Sequence, residues 1–451
     1  MEIVVQKYGG TSVGDIDRIK SIPQNVLREL NKNNKVIVVV SAMAGVTNML
    51  LSSCREISCI SQLNATDTEG ISQYLQELDS IISTGEIVSS GLVAIALQKS
   101  GIKAVSLQGW QLPIITDKQH SKALIKSIDA SLILYYLRQG IVPVICGFQG
   151  INSDNKITTL GKNGSDITAA AVAAKVKAAR CDIFKDVEGV FTADPRIVHD
   201  AKKIPFIDYE SMLEFSHCGA FVLHPRCIYI ANKFSIPLRV IPYFIHQQKQ
   251  TTELKEIRTT ETEMIGADII GTKIGYKKQS KKNTIKNMET SSTTGITYNK
   301  NIIFTKIEIQ NNSSKIIAAN NRSNNILHKI ISQQIPLLHY FDETHYEENK
   351  SFCSIILPLN EMHKIKQSLE ILKTQNEIID FQILSDIAFI NIVGYNLLND
   401  YQQLSKINDT LLLFECKMMQ FQHNKISILL DENLVDKILK ELHQKLIGTS
   451  L

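Results

Sequence analysis

A lysine that closes an apolar run and opens onto glycines is the first chemistry this chain offers. Residues Lys7-Tyr8-Gly9-Gly10-Thr11-Ser12-Val13-Gly14 follow the β-prone stretch Ile3 to Gln6. Glycines at a strand's end let backbone N–H groups approach an anion without interference from Cβ atoms, and the Thr11 and Ser12 hydroxyls add donors. The segment reads as a phosphate cradle at which Lys7 aims one compact positive charge, the electrostatic help that phosphoryl transfer needs. A Walker loop would place Lys and Ser/Thr directly after its last glycine; Asp15 and Ile16 follow Gly14, which argues against a P-loop NTPase. A glycine turn beside a lysine is by itself more often a plain β-to-α turn, and it is the full octapeptide that favours function.

Four further segments carry polar and glycine residues behind apolar runs. They are Ser41-Ala42-Met43-Ala44-Gly45-Val46-Thr47-Asn48, Ser83-Thr84-Gly85-Glu86, Thr158-Thr159-Leu160-Gly161-Lys162-Asn163-Gly164-Ser165-Asp166, and Lys185-Asp186-Val187-Glu188-Gly189-Val190-Phe191-Thr192-Ala193-Asp194-Pro195-Arg196. With the octapeptide they resemble, in order, the motifs of the aspartate kinases of the amino-acid kinase family, and together they span residues 3 to about 240. The resemblance implies ATP-dependent phosphorylation of the β-carboxylate of L-aspartate to 4-phospho-L-aspartate, a first step toward lysine/diaminopimelate, threonine and methionine. ATP and the Mg²⁺ it carries are the implied cofactors, with no metal site on the protein itself.

Carried over residue by residue, the resemblance makes Lys7 and Asp166 catalytic. It gives the substrate ammonium to Glu86, the α-carboxylate to Lys162, and hydroxyl contacts to Ser41 and Thr47. Gly9, Gly10, Thr11, Ser12, Lys185, Asp186, Phe191 and Arg196 fall to the nucleotide. Plainer roles stand beside these: a carboxylate favoured at a helix N-terminus for Glu86, a helix cap for Asp166, and a simple turn for Asp194-Pro195. A β-carboxylate is already ionised at neutral pH, so transfer is in-line and needs no general base. Three positions depart from the family pattern. Lys162 replaces an arginine, Asn163 a glycine, and Phe221 a lysine that helps bind nucleotide phosphates; Lys185, where Ser or Thr is usual, is a candidate to restore that charge. Two other readings stay open: a catalytically weakened regulatory subunit, or a related amino-acid kinase with another acid substrate.

The elements that must position these residues are those of an α/β domain. Apolar runs at Val36 to Val40, Ile102 to Leu107, Ile141 to Cys146 and Asp182 to Lys185 alternate with helix-compatible segments, which predicts a mainly parallel sheet in an αβα sandwich. Of 22 glycines only Gly295, Gly394 and Gly448 lie beyond position 275, so the chain changes character there. The expected domains are 1–245 (kinase), 246–293 (connector), 294–377 and 378–451, the last two being α+β ferredoxin-like modules. They resemble ACT domains, which implies a homodimer formed through them; they lack the Pro-Gly ligand loop of that family, so pairing is expected to outlast tight feedback control. With 49 basic and 45 acidic residues the net charge is only +4, which gives no footprint for nucleic acid or anionic membrane. The run Lys277 to Lys286 reads as a solvated linker. No export leader and no apolar stretch of spanning length is apparent, so a cytoplasmic location is expected.

Overall fold

The computed structural model describes residues 1–57, 68–220, 222–243, 271–276, 292–310, 316–333, 335, 337–345 and 350–448. Phe221, the 245/246 boundary, most of the connector 246–293 and the run Lys277 to Lys286 lie outside them. Two compact units are formed, Met1–Phe191 with Lys202–Lys286, and Thr192–Ala201 with Asn287–Leu451.

In the first unit, β1 (Ile3–Tyr8) and β2 (Lys35–Val40) are rich in β-branched residues and bury five of six positions each, the pattern of interior parallel strands covered on both faces. Helix α1 (Ile16–Leu30) joins them, its first turn capped by Asp15, which accepts from the Arg18 N–H at 2.8 Å. Helices α2 (Val46–Ile57), α3 (Thr68–Ile82) and α4 (Thr84–Lys99) lead to β3 (Ala104–Leu107). There follow β4 (Ile114–Thr116), β5 (Ile125–Ile128), α5 (Ser131–Arg138), β6 (Val142–Cys146), β7 (Gln149–Ile151) and β8 (Ile157–Thr159). Helix α6 (Gly164–Lys175) is buried at every position from Gly164 to Ala173; its alanines let it pack closely on every side, and the buried Ser165, Asp166 and Thr168 lie in its first turns. The unit continues through β9 (Arg180–Lys185), β10 (Phe206–Asp208), α7 (Tyr209–His217), α8 (Pro225–Lys233), β11 (Leu238–Pro242) and β12 (Thr272–Gly275).

The main sheet has the order β10-β12-β11-β9-β1-β2-β6-β3, and β4, β5, β7 and β8 form a separate sheet of four. Strands β11, β9, β1, β2, β6 and β3 run parallel, while β12 is antiparallel to β11. The chain leaves β1 for β2 on one side and returns to β9 on the other, so the carboxyl ends of these three strands flank a reversal of strand order. Open α/β sheets bind ligands at such a place. The expected strands are present with ends displaced by a residue or two. Lys7 sits inside β1, paired with Val39 and Ile183.

One expectation needs correcting. Among the described residues the stretch Gly70–Lys99 has the length and composition to cross a bilayer. It is α3 followed by α4, half of its most apolar window is buried in the fold, and it carries the buried carboxylates Asp79 and Glu86.

The second unit is built on β13 (Ser292–Gln310), α9 (Ile316–Ser332), β14 (His339–His345), β15 (Lys350–Pro358), α10 (Met362–Thr374), β16 (Asp380–Tyr395), α11 (Tyr401–Leu411), β17 (Cys416–Gln422), β18 (Lys425–Asp431) and α12 (Val435–His443). Its strands form one antiparallel sheet, β14-β15-β13-β16-β18-β17. The two long strands serve both halves: Ser292 to Asn299 of β13 pairs with Tyr395 to Phe389 of β16, and Phe304 to Glu308 pairs with Leu384 to Asp380. Each half is therefore a ferredoxin-like module whose fourth strand comes from the other's long strand. Register shifts near Asn299 and Ile302, with Asp386 at φ 57°, mark where one module gives way to the next. Separate cores follow, Ile303, Ile307, Ile355 and Leu369 in one, Ile390, Ile428, Ile438 and Leu439 in the other. Helix α11 begins at Tyr401 because Asp400 caps the N–H groups of Gln402 and Gln403. Thr192–Ala201 packs within this unit through Ala193 and Val198.

Candidate active site

Period-two alternation in β1 sends the Lys7 side chain to the buried face on which α6 packs, and there it meets Asp166. Lys7 Nζ is 2.6 Å from Asp166 Oδ1, and Lys185 Nζ, from the end of β9, is 3.0 Å from Oδ2. Lys7 is 4% exposed and Asp166 fully buried. Burial alone would raise the Asp166 carboxyl, but the Lys7 charge, then that of Lys185, overcome it and hold the group at about 2. Burial lowers the Lys7 pKa, with the Asp166 charge opposing and that of Lys185 assisting. Two ammoniums around one carboxylate leave the cluster positive, at the strand ends where an anion would sit.

Asp166 is not the helix cap its sequence position implies. Helix α6 starts two residues earlier; Asn163 holds the cap position in the left-handed region at φ 59°, and the Asp166 N–H donates to the Asn163 C=O at 3.0 Å. That conformation also accounts for Asn163 in a glycine's place, since asparagine tolerates positive φ better than most residues. The first turn of α6 presses on the strand ends: a Cβ on Gly147 would come within 2.6 Å of Ser165 Cβ and 2.8 Å of the Val40 C=O.

Glu86 lies in the first turn of α4, 3% exposed. Its Oε1 accepts from the Ala42 N–H at 2.9 Å, while Oε2 is buried with no hydrogen bond among the described residues. Burial pushes its pKa up to about 7, against the Ala42 N–H, its own backbone and the Lys7 charge. Gly85 is required here, because a Cβ would stand 2.7 Å from Ala42 Cβ and drive the helix off the β2 loop.

The remaining expected residues divide. Ser41 is half-buried and donates its N–H to the Tyr8 C=O at 3.1 Å; Thr47 is half-buried in the first turn of α2; Lys162 is exposed on the turn before α6. In the octapeptide the N–H groups of Gly9, Ser12, Val13 and Gly14 donate within the fold, which leaves less of a backbone cradle than the glycines imply. Ser12 is fully buried with its hydroxyl on the Phe184 C=O, so it serves the turn. Gly10 packs on the β2 loop, and Thr11 is half-buried. Asp186 is exposed and Phe191 half-buried beside Lys203. Arg196 belongs to the second unit, 84% exposed and paired with Asp194 at 2.7 Å. Asp79 was not visible as a site residue, because Gln76, Glu77 and Ser80 stand around it and nothing local separates it from a solvated helix carboxylate. No group of three or more His, Cys, Asp or Glu side chains able to hold a metal occurs among the described residues.

The profile of the amino acid kinase family matches residues 2–242. An aspartokinase of Rickettsia felis is 40% identical over 98% of both chains, and one of Geobacillus stearothermophilus is 34% identical over 98% of this chain and 97% of its own. In fold, the chain matches Escherichia coli aspartokinase III in complex with aspartate and ADP at a TM-score of 0.75, with 22% identity over 99% of this chain and all of the other. Matches of that identity and coverage place the chain in the amino acid kinase family, among its aspartokinases, and make it a kinase.

Proposed function

We propose that this cytoplasmic enzyme transfers the γ-phosphoryl group of ATP to the β-carboxylate of L-aspartate, giving 4-phospho-L-aspartate for the synthesis of lysine/diaminopimelate, threonine and methionine. The observation that carries the reading is a buried carboxylate with one unbonded oxygen, Glu86, within electrostatic reach of the Lys7–Asp166–Lys185 cluster. An unpartnered buried carboxylate oxygen is costly, and a substrate ammonium satisfies it. Lys162 then meets the α-carboxylate, with Ser41 and Thr47 on the remaining polar atoms. Asp166 holds the Lys7 and Lys185 side chains toward the phosphates, and Gly9, Gly10, Thr11, Asp186 and Phe191 line the nucleotide side. Mg²⁺ travels with the ATP phosphates, which supply part of its oxygen coordination. Alignment and charge neutralisation supply the rate, since the acceptor is already ionised.

Incubation with MgATP, hydroxylamine and each candidate acid tests this, because only an acyl phosphate is trapped as its hydroxamate. Hydroxamate is expected with aspartate and not with glutamate, acetylglutamate or without ATP; none with aspartate would refute the assignment. We also propose a homodimer through the two ferredoxin-like, ACT-type modules. Equilibrium sedimentation is expected to give twice the 50.6 kDa of the chain, and a monomer at micromolar concentration would contradict it.

A further inference from the structure

Asp79, on α3, is fully buried and has no part in the reaction as described above. A carboxylate at that depth has to be held by donors. Its Oδ2 accepts from the Thr159 N–H at 3.0 Å and the Ser121 N–H at 2.9 Å, and lies 2.9 Å from His120 Nδ1. Its Oδ1 accepts from the Thr159 hydroxyl at 2.6 Å and the Ser121 hydroxyl at 3.4 Å. These bonds grip the end of β8, from which the chain runs through Leu160 and Gly161 to Lys162. The same stretch is held by a second set of bonds. The Arg226 guanidinium donates to the Leu160 C=O at 2.8 Å and the Ala123 C=O at 2.7 Å, and the Ala123 N–H to the Thr159 C=O at 2.9 Å. Lys162 is exposed, yet the backbone two and three residues before it is fixed by both sets of bonds.

Asp79 also reaches the other end of the substrate site. Its own C=O accepts from the Ser83 N–H at 3.2 Å, where α3 turns into α4, and Glu86 is in the first turn of α4. Gln149 secures that turn through its Nε2 on the Ser83 C=O, at 3.1 Å. One residue thus ties the segment carrying the anion to the segment carrying the cation.

An α-amino acid presents ammonium and carboxylate on one carbon, at a fixed spacing, so a site that reads both must hold its own anion and cation at a matching separation. We infer that Asp79 is the positioning residue that sets the separation of Glu86 and Lys162, and so selects an α-amino acid as the phosphoryl acceptor. This rests on the roles given to Glu86 and Lys162 under Proposed function.

The test compares Asp79→Asn and Thr159→Val with the unaltered enzyme by hydroxamate kinetics. It uses aspartate, succinate (which lacks the ammonium) and β-alanine (which lacks the α-carboxylate). KM for aspartate is expected to rise about tenfold in Asp79→Asn and roughly threefold in Thr159→Val, with KM for ATP within about twofold. The preference for aspartate over both analogues is expected to narrow. Equal changes in both KM values with the preference intact would show a merely structural role and overturn the inference. Should Asp79→Asn fail to fold, Thr159→Val decides by the same two readouts. Glu86→Gln and Lys162→Met serve as reference. If they raise KM for aspartate and the Asp79 and Thr159 variants do not, this inference alone falls. If they change nothing, the reading of the site falls.

Discussion

Replacing Lys7 by methionine is expected to lower kcat by about 10²- to 10³-fold and to change KM for aspartate little, because the ammonium meets charge that develops as the phosphoryl group moves. The side chain is 4% exposed, so water screens that interaction weakly. Its charge depends on Asp166: burial and the neighbouring Lys185 lower the Lys7 pKa, and the carboxylate 2.6 Å away opposes them. Asp166→Asn removes that support. The active form is the ammonium, so a further lowered pKa brings the alkaline fall of kcat to lower pH. The same change leaves two ammoniums together without their carboxylate, at a cost of about 3–5 kcal/mol of stability, which thermal unfolding will register. Lys185→Ala is expected to weaken ATP binding, and Phe221→Lys in the same chain to restore part of it. A Lys7→Met enzyme with near-normal kcat, or an Asp166→Asn enzyme with an unmoved alkaline limb, would disprove the electrostatic mechanism. If Lys185→Ala alone changed nothing while Phe221→Lys tightened ATP binding, Lys185 would not be the compensating charge.

What was legible in the sequence is what local chemistry writes there. Glycines next to hydroxyls and a lysine behind β-branched runs are short-range patterns, and the fold class followed from the alternation of such runs with helical segments. Contacts between distant segments leave no local trace. The hydroxyl of Ser12 looks like a ligand donor until Phe184, 172 positions away, is seen to take it. Asp79 looks like an ordinary helix residue until Thr159 and Ser121 close around it. Cap positions failed for a different reason: Asp166 resembles an N-cap in composition, but Asn163 enters the left-handed region and starts the helix sooner. The exchange of strands between the ferredoxin-like modules was hidden because polar residues interrupt both strands, Asn299-Lys300-Asn301 in β13 and Ser385-Asp386 in β16, and only the pairing registers show that each runs through and is used twice.

Glu86 makes the second large effect a matter of pH. Its carboxyl, raised by burial to about 7, is protonated below that value in the ligand-free enzyme, and a neutral acid is a poor partner for an ammonium. The groups of free aspartate do not titrate between about pH 5.5 and 8, so kcat/KM for aspartate should fall close to tenfold per unit as pH drops below about 7. Glu86→Gln should erase that limb and lower kcat/KM above it by about 2 kcal/mol, roughly 30-fold, for the lost charge-assisted hydrogen bond. Stability moves the opposite way. An acid whose folded pKa lies above its unfolded 4.5 contributes stability that is fully present below about 4.5 and is lost as pH rises through about 7. The ligand-free Glu86→Gln protein should therefore unfold at a higher temperature than the unaltered chain at about pH 8, an advantage that vanishes at about pH 4. Aspartate then binds the unaltered enzyme with proton release near neutrality, because the ammonium favours the ionised carboxylate. Calorimetry in two buffers of different ionisation enthalpy reads that release. A kcat/KM profile that is flat from about pH 5.5 to 8, or that keeps its acid limb in Glu86→Gln, would place the ammonium elsewhere and leave the buried carboxylate unexplained.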